Sequence, residues 1–214
     1  MKKVDVKKDG KVEEKSLIRE IFDWVFCIVT AFVLALIIKY FIFTPTLVMQ
    51  TSMTPTIQNM ERVLINRVVR TFHLPIFRGD IITFEKPSHT ENGLAVYDEK
   101  KGVIPSFIYY VLEAGKTSFI KRVIGVAGDH VLIEDGNVYV NDMKIEEPYL
   151  QEDVKTPTKG PYYDVVVPEG YIFVMGDNRP DSMDSRDFGC IPISKVESKV
   201  VLRFWPFSKF GTKW

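Results

Sequence analysis

Four short segments of the chain combine residue types that can carry out chemistry with residues that form turns. They are Thr51-Ser52-Met53-Thr54-Pro55-Thr56, Arg78-Gly79-Asp80, the stretch from Phe119 to Asp129 around Lys121, and the stretch from Gly176 to Gly189. Lysine is normally protonated at pH 7, but burial can lower its pKa by several units. A serine brought beside a neutral lysine would gain a proton acceptor, which is the Ser-Lys form of nucleophilic catalysis.

The sequence leaves open whether Lys121 or its neighbour Arg122 faces the interior of the protein. Lys121 and Arg122 both interrupt an apolar strand, and adjacent strand residues point to opposite faces. One of them could face the interior as a base while the other remains in solvent. Equally, Lys121 could point outward while Arg122 forms a buried ion pair. Alternation of side chains does not separate these two arrangements.

Other catalytic and metal-binding patterns do not fit. Gly115-Lys116-Thr117 resembles the end of a phosphate-binding loop, but Tyr110 occupies the position of the required first glycine. His73, His89 and His130 lack the spacing of metal ligands and have no paired cysteines. No Gly-x-Ser-x-Gly elbow is present, which argues against an α/β-hydrolase. We therefore expect an enzyme without a metal or other cofactor.

Composition narrows the class of protein further. The 214 residues carry 28 basic and 28 acidic side chains, and this balance argues against a general nucleic-acid binder. Hydrophobic residues make up 46% of the chain, too many for a disordered protein. The two cysteines, Cys27 and Cys190, provide no disulfide framework, and we expect them not to pair.

Residues 21–43 form an apolar run in which only Asp23 and Lys39 are charged. About 20 apolar residues are needed to cross the hydrocarbon core of a bilayer, so the run predicts a transmembrane helix. A cleaved signal peptide would be shorter and end in a small-x-small site, which residues 40–50 lack. We interpret the run as a retained anchor rather than a buried core helix.

The charges before the anchor predict its orientation. Seven Lys and Arg residues precede or begin the span, so the positive-inside rule places residues 1–20 in the cytoplasm. Residues 44–214 then form an extracytoplasmic catalytic domain. About eight residues separate the span from Ser52 and reach at most roughly 25–30 Å, so this serine stays near the membrane surface.

The domain after the anchor has the pattern of a mostly β protein. Strands are predicted at Arg62–Val69, Asp80–Phe84, Ile120–Ile124, His130–Ile133, Asn137–Val140, Asp164–Val167, Tyr171–Met175 and Ser198–Phe204. Asp135-Gly136 predicts a hairpin between two of them. Residues 85–119 and 134–163 are interpreted as hairpins or loop insertions, with a short helix over 104–114.

Taken together, the four segments behind one anchor resemble the bacterial type I signal peptidases, which are membrane-bound Ser-Lys endopeptidases. The segments occur in the family's order, and the final Val201–Pro206 resembles its closing strand. The resemblance implies an all-β catalytic domain. A single anchor is typical of the Gram-positive form of the family.

The resemblance also implies roles for individual residues. Ser52 matches the nucleophile and Lys121 the general base, which by analogy resolves the ambiguity with Arg122. Ser182 matches a serine that orients the lysine amine, and Asp184 and Arg186 match a pair beside the two catalytic groups.

The remaining implied roles concern the transition state and the support of the site. Asp177 and Asn178 belong to the last segment and are expected to act as supports. The backbone N–H of Ser52 is expected in the oxyanion hole. Some family members have a serine or glycine two residues before the nucleophile, where this chain has Gln50. Either the Gln50 amide serves as a second donor, or one backbone donor acts with water.

The implied partners are preprotein signal peptides, with small residues at positions −1 and −3 from the cut, and membrane lipid. The C-terminal aromatic residues could lie in the bilayer interface: Phe204, Trp205, Phe207, Phe210 and Trp214. Two rival interpretations are a self-cleaving Ser-Lys protein and a catalytically inactive, anchored β domain that binds exported chains. The oligomeric state has no signature in the sequence.

Overall fold

The computed structural model describes residues 17–98 and 118–212. The charged head before residue 17, the helix predicted over 104–114, and Trp214 lie outside these residues. The chain divides into two compact units, Met1–Ile37 and Ile38–Trp214.

The apolar run forms one long helix, α1 (Leu17–Phe41). Glu20 in the first turn and Lys39 in the last turn both complement the helix dipole. Its segment Arg19–Phe41 is long and apolar enough to cross a membrane. The predicted run of residues 21–43 extends past this helix, because the first strand already begins at Phe43.

The rest of the described chain is mostly β, as the sequence predicts. Its strands are β1 (Phe43–Leu47), β2 (Arg62–Asn66), β3 (Ile81–Glu85), β4 (His89–Glu91), β5 (Leu94–Val96), β6 (Ser118–Val126), β7 (His130–Glu134), β8 (Asn137–Val140), β9 (Met143–Lys144), β10 (Asp164–Val166), β11 (Tyr171–Met175), β12 (Ile191–Pro192) and β13 (Val196–Trp205). Two short α-helices accompany them, α2 (Val68–Phe72) and α3 (Ser185–Phe188).

Three antiparallel sheets are formed by the strands of residues 17–98 and 118–212. A seven-stranded sheet has the order β1-β2-β13-β3-β6-β11-β12, a four-stranded sheet has the order β10-β7-β8-β9, and β4 pairs with β5. Strand β6 lies between β3 and β11, and six consecutive residues of it are buried. A strand covered on both faces reads as a continuous apolar run, which explains why alternation is weak there.

Several predicted elements are confirmed and others need correction. The hairpin is confirmed, with Asp135 and Gly136 at φ 51° and 81°, values that suit a type I′ turn. The strand predicted over Arg62–Val69 is wrong at its end. The Asn66 side chain accepts a hydrogen bond from Val68 N at 2.9 Å, and α2 begins there. Strands β1, β4, β5, β9 and β12, together with the helices α2 and α3, are absent from the predicted elements.

A buried apolar cluster lies beneath the turn that carries Ser52. It contains Val48, Met53, Ile57, Val63, Ile65, Ile81, Ile120 and Val200. Met53 follows Ser52 directly and is 1% exposed. The cluster therefore fixes the turn after β1 against the residues of β6 next to Lys121.

Gly125 marks a close contact between the large and the four-stranded sheets. A Cβ atom placed there would lie 2.6 Å from Val131 Cγ2 and 3.2 Å from Val167 Cγ2. We expect Gly125→Ala to lower the free energy of unfolding by about 1–3 kcal/mol, the usual cost of overpacking, as measured by urea denaturation. Val131→Ala removes the clashing methyl, so the double variant should lose less than the sum of the single losses. Strictly additive losses would contradict this contact.

Candidate active site

The structure brings Ser52 and Lys121 into direct contact, although 68 residues separate them in the chain. Lys121 Nζ donates a hydrogen bond of 2.6 Å to Ser52 Oγ. Lys121 is 1% exposed and Ser52 is 8% exposed. Lys121 comes from the middle of β6, and Ser52 comes from the turn after β1. A nucleophile and a base at this distance have the geometry that nucleophilic catalysis requires.

Burial controls the protonation of Lys121. Removal from water lowers the pKa of its amine from the ordinary value of 10.5 to about 8. The negative charges of Asp184 and Asp177 act in the opposite direction, whereas Lys159 and Arg186 lower the pKa further. Lys121 Nζ also lies 5.0 Å from the centroid of the Phe119 ring. The neutral form of Lys121 is therefore much more accessible near physiological pH than that of an exposed lysine.

The last of the four segments holds the backbone of the Ser52 turn. Asn178 N donates to Ser52 O at 3.0 Å, and Asn178 Nδ2 donates to Thr51 O at 3.3 Å. Within the turn, Thr54 N donates to Thr51 O at 3.1 Å. Asn178 thus fixes the position of the candidate nucleophile by one bond to the backbone of Ser52 and one to that of Thr51.

Gly176 allows the same segment to approach the serine closely. A Cβ atom at this position would lie 2.4 Å from Ser52 O and 2.1 Å from Ser182 Oγ. Ser182 is 2% exposed, and its hydroxyl has no hydrogen bond among the residues described. The orienting bond from Ser182 to Lys121 that the resemblance implies is not formed here, and this role stays a prediction.

Two buried ion pairs stabilise the segment. Arg186 binds both carboxylate oxygens of Asp184 at 2.8 Å, and Asp184 also accepts from Gly176 N at 3.0 Å. Burial alone would raise the pKa of Asp184, but Arg186 and the Gly176 N–H outweigh it and hold the pKa below its usual range. Arg122 binds Asp177 through two bonds of 2.9 and 2.7 Å.

A largely apolar cleft of about 370 Å³ adjoins the serine turn. Its lining residues are Thr46, Leu47, Val48, Met49, Gln50, Ile65, Arg67, Thr83, Ser118, Ile120 and Glu197. Gln50 Nε2 donates to Ser118 O at 3.1 Å, from the serine turn to the start of β6. Within residues 17–98 and 118–212, no three His, Cys, Asp or Glu side chains are grouped to hold a metal ion.

Comparison with known proteins gives the family. The family described as signal peptidase, peptidase S26, matches residues 21–205. A signal peptidase I of Bacillus licheniformis is 38% identical over 206 residues, which cover 92% of this chain and 96% of that protein. The chain belongs to the signal peptidase family S26. A signal peptidase IB of Staphylococcus aureus is 35% identical over 208 residues, covering 90% of this chain and 93% of that protein.

A solved signal peptidase I from Enterococcus faecalis shares 26% identity and has a TM-score of 0.39, covering 59% of this chain and 97% of that chain. The resemblance inferred from the four segments is confirmed by the family match and the curated relatives. The protein is a peptidase, and the interpretation as an inactive binding domain has no support.

Sequence reasoning missed several residues of this signal peptidase site. The sequence pattern presents Arg122 only as an alternative to Lys121 for the buried position, whereas both side chains are buried in the structure. Arg179 is fully buried and binds Glu147, which lies in the region interpreted as a loop insertion. Tyr149 packs on Arg122, with 3.8 Å between the guanidinium carbon and the ring centroid. No local sequence pattern marks these residues, because Arg and Glu side chains are mostly exposed in proteins.

Burial of Lys121 should make folding stability depend on pH. The pKa falls from 10.5 in the unfolded chain to about 8 in the folded protein, so the unfolded state binds more protons between these values and stability rises with pH there. At 1.36 kcal/mol per pKa unit, the full change is roughly 3 kcal/mol. We expect Lys121→Met to be more stable than wild type at pH 7, with the difference shrinking by pH 10. A constant difference in denaturation experiments would contradict a lowered pKa.

Proposed function

We propose that this protein is a membrane-bound serine endopeptidase that removes N-terminal signal peptides from exported preproteins, with Ser52 as nucleophile and Lys121 as general base. The observation that carries the assignment of roles is the 2.6 Å contact between Ser52 Oγ and a lysine that is 1% exposed. Family membership and the signal peptidase I relatives support the reaction.

The proposed chemistry proceeds through an acyl-enzyme. Neutral Lys121 takes the proton of the Ser52 hydroxyl as Oγ attacks the scissile carbonyl, and a tetrahedral oxyanion forms. The Lys121 ammonium then gives its proton to the departing amine, and the peptide bond breaks. In the second half, Lys121 takes a proton from water as the water attacks the ester carbonyl. The Lys121 ammonium then returns this proton to Ser52 Oγ as the ester bond breaks, and the signal peptide leaves with a new C-terminal carboxyl group.

The developing oxyanion needs hydrogen-bond donors. We assign one to the backbone N–H of Ser52, whose turn is held by Asn178. The Gln50 amide remains the candidate for the second donor, because its Nε2 carries two hydrogens and the bond to Ser118 O at 3.1 Å uses one of them. A donor of this type contributes about 2.7–4 kcal/mol in serine proteases.

The supporting residues act through the position and charge of these groups. The negative charges of Asp177 and Asp184 raise the pKa of Lys121. Asp177 is paired with Arg122, and Asp184 is paired with Arg186. Their pairing limits how strongly the two carboxylates favour the ammonium form of Lys121. Ser182, beside Gly176, is assigned to orient the amine during the reaction.

The substrate is assigned to the apolar cleft beside the serine turn. An extended signal-peptide segment would lie along Leu47–Gln50 and place its small side chains against Val48, Ile65 and Ile120, which line the cleft. Backbone pairing would provide affinity, and the limited volume of about 370 Å³ would favour small residues.

The proposed topology places residues 1–20 in the cytoplasm, residues 21–43 in the bilayer and residues 44–214 outside. The charged head and the apolar helix support it. Lipid contact is assigned to the exposed C-terminal aromatics Trp205, Phe207 and Phe210, which are 47%, 72% and 60% exposed. Trp and Phe side chains partition favourably into the bilayer interface.

Cleavage of a purified preprotein in detergent tests the proposed function. Wild type should cut after a small-x-small site, located by sequencing the product. Ser52→Ala and Lys121→Ala should each abolish nearly all turnover, and the double variant should be scarcely worse, because the two groups act as a unit. Since the base must be neutral, kcat/KM should rise with pH up to about 8 and then level off. Cleavage that survives Lys121→Ala would remove lysine from the base role.

Labelling of an introduced cysteine tests the topology. Met143 is 68% exposed in the proposed external domain, whereas the natural Cys190 is fully buried and Cys27 lies in the apolar helix. Met143→Cys should react with a membrane-impermeant maleimide in intact cells. The matched variant Lys11→Cys should react only after permeabilisation. The reverse pattern would invert the assigned orientation.

A further inference from the structure

The segment that follows β9 contributes two side chains to the core of the site. We propose that Glu147 and Tyr149 are positioning residues, a clasp that holds Ser52 and Lys121 in their reactive geometry. The clasp is defined by these two residues and the arginines that they contact, Arg122 and Arg179. The inference rests on the proposed roles of Ser52 and Lys121.

Tyr149 contacts the residue that follows the base. The guanidinium carbon of Arg122 lies 3.8 Å from the centroid of the Tyr149 ring, and its Nε and Nη2 atoms donate to the two carboxylate oxygens of Asp177. A guanidinium stacked on an aromatic face is attracted by the ring and loses freedom of rotation. Because Arg122 adjoins Lys121 on β6, fixing it also restricts the backbone of the base.

Glu147 contacts the other half of the site. It pairs with both terminal nitrogen atoms of Arg179, and Nη1 lies 2.9 Å from Glu147 Oε2. Arg179 is fully buried, and its Nε donates to Gly176 O at 3.1 Å. Gly176 is the residue that packs against Ser52 O. Glu147 is therefore linked through Arg179 to the backbone that supports the nucleophile.

The two halves of the clasp are joined to each other. The Tyr149 hydroxyl donates to Glu147 Oε1 at 2.7 Å, and Arg179 Nη2 lies 3.4 Å from the same hydroxyl. In addition, Thr56 Oγ1 lies 3.5 Å from Tyr149 O, close to the serine turn. The supports of the base and of the nucleophile thus meet at one pair of side chains.

Stability alone gives a weak reason for such an arrangement. A buried ion pair is often no more stabilising than apolar side chains of similar volume, because desolvation offsets the attraction. Geometry gives a stronger reason. A misplacement of about 1 Å can lower an enzymatic rate about 100-fold. The bidentate Arg179 contact and the stacked Arg122 both restrict orientation as well as distance.

The first test compares Tyr149→Leu with the conservative Tyr149→Phe in preprotein cleavage. Leu removes the aromatic platform, and we expect kcat to fall about 10- to 100-fold with KM within about twofold. Phe keeps the ring over Arg122 and should restore most of kcat. Tyr171→Leu is the matched control, because Tyr171 is also a half-buried tyrosine and lies at the end of β11 remote from Gly176. It should leave kcat and KM unchanged.

Hydrogen exchange separates the clasp from the proposed function. The amides of Gly176 and Asn178 should exchange at least about tenfold faster in Tyr149→Leu than in wild type, and not faster in Tyr171→Leu. If wild type cuts no preprotein, the proposed function fails while this measurement still decides the clasp. Unchanged exchange at these amides, or unchanged kcat in an active Tyr149→Leu enzyme, would overturn the proposal.

A final variant separates positioning from bulk stability. Glu147→Met combined with Arg179→Met replaces the buried pair by apolar side chains, which should keep the melting temperature near that of wild type. We expect kcat of this double variant to be at least about tenfold lower than that of wild type, because the bond from Arg179 to Gly176 O is lost. Recovery of full kcat along with stability would show a purely structural role and overturn the proposal.

Discussion

The arrangement of the site depends on keeping one lysine amine out of water beside a serine. Burial lowers the pKa of Lys121 and so suits this residue to the proposed role of base. Free carboxylates facing the amine would cancel this effect of burial, because they would favour the ammonium form. Asp177 and Asp184 do face it and raise its pKa, yet each is bound by an arginine through two bonds. The balance leaves the pKa of Lys121 near 8. The dense ion pairing around the site is thus consistent with the proposed role of Lys121 as base.

Strand β6 meets these demands because it is covered on both sides. Adjacent residues of a strand point to opposite faces, so Lys121 can contact Ser52 while Arg122 reaches Asp177 and Tyr149. Neighbouring strands β3 and β11 hold β6 in the interior of the sheet. The strand therefore supplies both the proposed base and an anchor for the segment that supports the proposed nucleophile.

The sequence predicts those features that depend on local pattern. The apolar run of α1, the central strands and the Asp135-Gly136 hairpin follow from periodicity and turn chemistry. Lys121 and Arg122 could not be separated because alternation assumes that one face is exposed, and here both are buried. Glu147 was missed for a related reason. Its burial depends on Arg179, a contact between distant segments that no local pattern encodes.

Backbone contacts explain why the site has little freedom to rearrange. Asn178 binds the carbonyl groups of Thr51 and Ser52, and Gly176 leaves no room for a side chain between Ser52 and Ser182. Contacts of this kind transmit any displacement of the supporting segment directly to the nucleophile, because a close-packed interior relaxes little. A site with this little freedom to rearrange suits a lysine in the proposed role of base. Its long side chain has many rotamers, and only burial and fixed neighbours on every side keep the amine at hydrogen-bonding distance from Ser52 Oγ.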